Sequence, residues 1–180
     1  MIEAKAKEDK KNQILDAAFS VFVEKGYSET TMDDIVQKSK MSKGAIYHYY
    51  NSKKELFLSL IDHWEVYSFP DFYSKGNNDK SAEEILRNLS EVVLNVFNKK
   101  KHVFLAEVEF WALSNKDRDV REKSRLLYDK LLYLFELILK KGVRQNEFNE
   151  MDTKVVAMTI LTSLQGINWF CLYEDTDVSA

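Results

Sequence analysis

The stretch 41–57, MSKGAIYHYYNSKKELF, places Tyr47, His48, Tyr49 and Tyr50 in succession, with Lys43, Lys53 and Lys54 on either side. Four adjacent side chains point all round a helix, so some of these rings must leave the core. Phenols, an imidazole and ammonium groups together suit a phosphate backbone, whose oxygens accept from all three. Ser42, Lys43, Gly44 and Ala45 are small or basic, which lets a main chain approach base edges, and Lys43 can donate to guanine. Tyr47 and Tyr49 are placed to flank a groove and donate to phosphates, and Lys53 to meet a phosphate at the start of the next helix. The chemistry expected is recognition of double-stranded DNA.

Catalysis is not expected. His48, His63 and His102 do not fall at metal-ligand spacing, and Cys171 has no adjacent histidine, so neither a metal nor a cofactor is anticipated. No glycine-rich phosphate loop or nucleophile elbow occurs. Glu107 and Glu109, two apart, lie on different faces of a helix. A helical adaptor that binds no DNA is the alternative, and it leaves the Tyr–Lys cluster without a purpose.

The elements around the cluster read as helices. Five glycines and one proline in 180 residues favour helix throughout, and no strand period appears. Ile14, Leu15, Ala18, Phe19 and Phe22 line one face of a helix over 10–25, which Gly26 ends. Thr31 with Asp34 caps a short second helix, Ser42 opens a third through Tyr49, and Ser52 with Glu55 caps a fourth over about 52–68. Two short helices joined by a tight turn, held by longer ones, describe a helix-turn-helix. Net charge is −3, yet residues 1–55 carry ten Lys/Arg against nine Asp/Glu, and their lysines gather around the quoted stretch. Phosphate contacts act within a Debye length of about 8–10 Å, so the local pattern outweighs the sum.

The run TTMDDIVQKSKMSKGAIYHYYNSKKELF resembles the DNA-binding domain of the TetR family of bacterial transcriptional regulators. The similarity rests on Ser42, Gly44, Ile46, Tyr47, Tyr49, Tyr50, Ser52, Lys53 and Leu56 and spans roughly residues 9–67. It implies phosphate contacts at Thr31, Tyr47, Tyr49 and Lys53, with Lys43, Gly44, Ala45 and His48 at or near the bases. Lys40 stands where the family usually has glycine, in the turn before the third helix; a side chain in a left-handed turn costs on the order of 1 kcal/mol. The resemblance also implies an operator-binding homodimer, repression as the commoner sign with activation as the alternative, and an effector pocket in the second half.

That half is expected to be helical as well. Ser81 with Glu84 opens a helix through Val96, and others follow over about 103–113, 120–141 and 153–173 after a polar connection at 68–80. The fold class is therefore all-α: a three-helix DNA-binding domain over 1–51, then a ligand-binding and dimerisation domain over 52–180 beginning with the fourth helix. Phe104, Glu107 and Trp111 share one face; the expectation favoured there is that Phe104 and Trp111 are core and Glu107 pairs with a basic neighbour, the alternative being a pocket in which a carboxylate between aromatic rings suits a lipophilic cation. The last two helices are apolar on more than one side, which places Leu127, Leu131, Leu134, Val156, Ile160, Leu164 and Ile167 at a dimer interface. The charged start, the single cysteine and the shortness of every apolar run point to the cytoplasm, with neither leader nor membrane span.

Overall fold

The computed structural model describes residues 2–68, 79–99, 102–167 and 169, and within them eight α-helices and no strand. They are α1 (Ile2–Glu29), α2 (Met32–Ser39), α3 (Lys43–Tyr49), α4 (Lys53–Ser68), α5 (Ala82–Lys99), α6 (His102–Ser114), α7 (Arg118–Arg144) and α8 (Thr153–Gln165). Most of the expected connection at 68–80, together with Asn168, Cys171 and the end of the last helix, lies outside the described residues. Among those residues no helix is long and apolar enough to cross a membrane.

Local chemistry sets most boundaries. Thr31 and Asp34 form the reciprocal capping box expected of them, and so do Ser81 and Glu84. At Ser52 the exchange is shifted: its hydroxyl accepts from the Glu55 amide, but the Glu55 carboxylate takes the Asn51 amide. The first helix begins earlier than expected, because the Glu, Lys and Ala residues before Lys10 are good helix formers with no breaker among them. Gly26 interrupts it at φ 73°, ψ 164°, a region essentially confined to glycine. Lys40 adopts φ 57°, the left-handed turn that its place in the sequence demands.

Helix α1 packs against α2, α4 and α6, while α7 runs beside α4, α5, α6 and α8. A single core continues from the first helices into the second half. Phe57 of α4 links them: its ring meets Phe22 edge-on at 5.1 Å, Tyr27 at 4.8 Å and Phe110 of α6 at 5.5 Å. Such contacts add roughly 0.5–1.5 kcal/mol each beyond area burial. The start of α5 is tied to the end of α7, where Glu147 accepts the Glu83 amide and Lys141 donates to the Lys80 carbonyl.

The residues expected at a dimer face lie in the core or at its margin within one chain. Leu127 is buried, and Leu131, Leu134, Val156, Ile160, Leu164 and Ile167 all pack against the chain's own core. Apart from Leu127, these residues of α7 and α8 are only partly buried by the chain itself. What remains outside is a second stripe: Leu126, Tyr133 and Leu137 on α7, with Val155 and Met158 on α8, each between 42% and 59% exposed.

After α7 the chain turns back tightly, with the Glu147 and Phe148 amides donating to the Gly142 carbonyl. A Cβ on Gly142 would lie 2.2 Å from the Phe148 ring and 3.0 Å from the Ala82 Cβ. Gly142→Ala is expected to destabilise the fold by about 1–3 kcal/mol through overpacking. Thermal unfolding checks this, and adding Phe148→Leu should recover part of the loss.

Candidate nucleic-acid interface

Seven residues make α3 too short to persist alone. Its position comes from Ile46, 0% exposed, and Tyr50, both set in the core as their spacing implies. Ser42 caps it by accepting the Ala45 amide at 3.2 Å, and its hydroxyl proton stays free for another acceptor. With Ile46 and Tyr50 inward, Ser42, Lys43, Gly44, Tyr47 and His48 are left exposed on the outer side. Tyr47 is 39% exposed, whereas Ala45 and Tyr49 are half-buried. The Tyr49 ring packs against the core and stands edge-on to His48 at 5.3 Å. A Cβ built on Gly44 meets nothing within 4 Å, so packing within the chain does not require glycine there.

Two expected phosphate donors have other partners. The Thr31 hydroxyl donates to Asp34 at 2.7 Å and its amide to the same oxygen at 2.8 Å, which commits both donors to the cap. Lys25 donates to the second Asp34 oxygen at 2.6 Å; with Thr31, it holds that carboxyl down at about 2. Lys53 departs further from expectation. Its ammonium donates to the carbonyls of Tyr27 (2.6 Å), Ser28 (3.2 Å) and Thr30 (2.7 Å) and lies 4.5 Å from the centre of the Tyr27 ring. An ammonium has three protons, and all three are engaged. The reason is positional: Gly26 turns the chain so that carbonyls freed at the end of α1 converge on the start of α4. From the other side, Glu109 of α6 accepts the Tyr27 amide at 3.2 Å. The turn at 26–30, which delivers the chain to α2, is thus gripped from both halves.

The lysine on the outer face of α3 is also held. Lys43 lies 2.7 Å from Asp33 of α2, and that hydrogen bond raises its pKa above the usual lysine value.

In the second half a cavity of about 60 Å³, measured as space open to the centre of a water molecule, lies between α4, α5, α6, α7 and α8. Its walls are Trp64, Leu89, Val93, Phe104, Leu131, Leu134, Phe135, Leu161 and Leu164, with Glu107 and Gln165 as the polar members. Glu107 is 4% exposed and accepts from the Tyr128 hydroxyl at 2.7 Å. Trp111, expected at the pocket, does not line it; its indole donates to Tyr128 instead, so it supports Glu107 at one remove. Burial, and after it the Glu107 carboxylate, drives the Tyr128 pKa far upward and keeps the hydroxyl a donor. Sequence reasoning missed Tyr128, because nothing in the spacing of α7 shows which of its tyrosines meets α6. Trp169, at the end of the described chain, is 59% exposed.

Lys53→Met is expected to lower stability by about 1.5–3 kcal/mol, the range for hydrogen bonds to a charged group. The salt dependence of DNA binding should stay as in the parent chain. Denaturant unfolding and binding titrations at several salt concentrations read the two effects separately.

Similarity to known proteins agrees with this geometry. The sequence model described as "Bacterial regulatory proteins, tetR family" matches residues 14–60. The transcriptional regulator QacR of Staphylococcus aureus is 27% identical over 165 residues, covering 89% of this chain and 85% of that protein. IcaR, the negative transcriptional regulator of the icaADBC biofilm operon of Staphylococcus epidermidis, is 27% identical over 129 residues, or 70% of this chain and 69% of that one. A transcriptional regulator from Saccharomonospora viridis, solved in complex with choline, superposes with a TM-score of 0.80 at 19% identity, over 96% of this chain and 90% of that one.

Proposed function

Because this chain belongs to the TetR family of DNA-binding transcriptional regulators, we propose that it is a ligand-released repressor acting in the cytoplasm as a homodimer on a palindromic operator. The outer face of α3 carries this reading: Ser42, Lys43, Gly44, Tyr47 and His48 stand exposed together while Ile46 and Tyr50 fix the helix from behind. Lys43, Gly44 and His48 are assigned to base edges, with Ala45 at the rim; Tyr47 and the Ser42 hydroxyl are assigned to phosphates. Tyr49 supports the face, while Thr31 and Lys53 position it rather than contact DNA. A negative regulator among the relatives favours repression over activation.

Dimerisation is supported by the outer stripe of Leu126, Tyr133, Leu137, Val155 and Met158, since monomers rarely leave a continuous apolar face in water. Two-fold pairing there would present two copies of α3 at half-sites about 34–36 Å apart, one helical turn of DNA.

The effector we assign to the cavity is a lipophilic cation. Glu107 supplies the charge, Trp64, Phe104 and Phe135 supply ring faces, and Tyr128 fixes the carboxylate. Choline, held by the Saccharomonospora viridis regulator, is itself a quaternary ammonium ion. The space admits only a handful of waters, so a larger guest enters by parting the helices around it. The state so favoured would carry its recognition helices at a spacing that no longer fits the operator.

With operator fragments recovered from genomic DNA on the purified protein, Tyr47→Phe should weaken binding roughly 5- to 150-fold, the worth of one net hydrogen bond in each of the two recognition helices, equally on every fragment. Mobility shifts across several fragments test this, and a loss confined to particular sequences would contradict a phosphate role. Glu107→Gln keeps an acceptor for Tyr128 and should leave operator binding intact while abolishing release by tetraphenylphosphonium. Unchanged release would remove the cation assignment.

A further inference from the structure

Most lysines around the recognition helix are paired within the chain itself. Lys25 pairs with Asp34 at 2.6 Å, Lys38 with Glu24 at 2.6 Å, and Lys54 with Asp117 and Asp119 at 2.8 and 2.7 Å. Lys53 is bound to carbonyls, and Lys43 lies 2.7 Å from Asp33. Of the lysines between positions 25 and 54, Lys40 alone has no such partner among the described residues. A protein whose non-specific hold on DNA comes from phosphate neutralisation would leave these ammonium groups free. Here all but Lys40 are held.

The Asp33–Lys43 pair differs from the rest because it sits on the face assigned to the groove. Both side chains are mostly exposed, 71% and 60%, and Lys43 shares that face with Gly44, Tyr47 and His48. Exposed pairs contribute little to folding stability, so the consequence of this one lies in binding. Asp33 reaches from α2 across to the first residue of α3, which puts a carboxylate beside the surface that approaches DNA. That group repels phosphate, and it accepts hydrogen bonds without donating any. On the major-groove edge of a base it complements only the amino groups of cytosine or adenine.

We propose that Asp33 is a specificity-determining residue, holding Lys43 away from phosphates and surrendering or steering it only at a matching base edge. The proposal rests on α3 being the DNA-reading helix. In its terms the pair lowers affinity for arbitrary sequence more than for the operator. The ratio between the two is what a regulator needs when non-specific sites outnumber its target.

The test is binding to a random-sequence 30-base-pair duplex and to a recovered operator fragment, each at salt concentrations from 50 to 200 mM. Asp33→Asn keeps the shape and removes the charge. It should tighten binding to the random duplex about 10-fold at the lowest salt and steepen the slope of log affinity against log salt by roughly 0.9 for each recognition helix engaged. Operator affinity should rise less, so the selectivity ratio falls. On a Lys43→Ala background the same substitution should give less than a 2-fold gain on the random duplex. Glu150→Gln removes an equal charge before α8, far along the chain, and separates a local effect from a change in net charge. Unchanged or weaker random-duplex binding by Asp33→Asn overturns the proposal. So does a gain as large on the Lys43→Ala background, or an equal gain from Glu150→Gln. A parent chain that retains no duplex of any sequence overturns the DNA-reading assignment of α3 and this proposal with it.

Discussion

Helix α3 has too few residues to pay for its own nucleation, so everything assigned to it depends on how it is held. Two core side chains, Ile46 and Tyr50, fasten it from behind, and the Ser42 cap closes its first turn. Those attachments would fix little if α2 were loosely placed. The decisive constraint is therefore one step upstream, in the turn that leads from α1 into α2. There the Lys53 ammonium takes the carbonyls of Tyr27 and Thr30, and Glu109 takes the Tyr27 amide from the opposite side. A cation packed into a backbone turn responds less to dissolved salt than the exposed ion pairs around it.

The same turn is where the two halves meet. Helix α6 carries Glu107 toward the cavity and, two residues on, Glu109 toward Tyr27. Phe110 and Phe57 continue the contact through the aromatic core, and the two ion pairs of Lys54 join α4 to the start of α7. One helix, α6, thus touches both the cavity wall and the turn at 26–30.

Much of this was legible in the sequence wherever the cause was local. The Thr31–Asp34 and Ser81–Glu84 boxes, the Ser42 cap, the break at Gly26 and the inward pair Ile46 and Tyr50 follow from neighbours within a few positions. What could not be read depends on residues far apart in the chain. Lys53 looks like a phosphate ligand until the end of α1, some twenty-five residues earlier, is seen folded beneath it. Tyr128 and Glu107 are likewise joined only by the packing of α7 on α6. The apolar residues of α7 and α8 are a different case: each helix carries two stripes, and composition does not say which one packs within the chain. The spacing of Leu126, Tyr133 and Leu137 was available, but it competed with the stronger repeat through Leu127, Leu131 and Leu134.

The space beside Glu107 bears on how the molecule responds to force as well as to chemistry. An apolar void is volume that the surrounding side chains do not fill, and raised hydrostatic pressure favours whichever conformation eliminates it. A guest that wedges the helices apart favours the wider one. Compression and occupancy would then pull the second half in opposite directions, making its compressibility a physical counterpart of its readiness to admit a ligand.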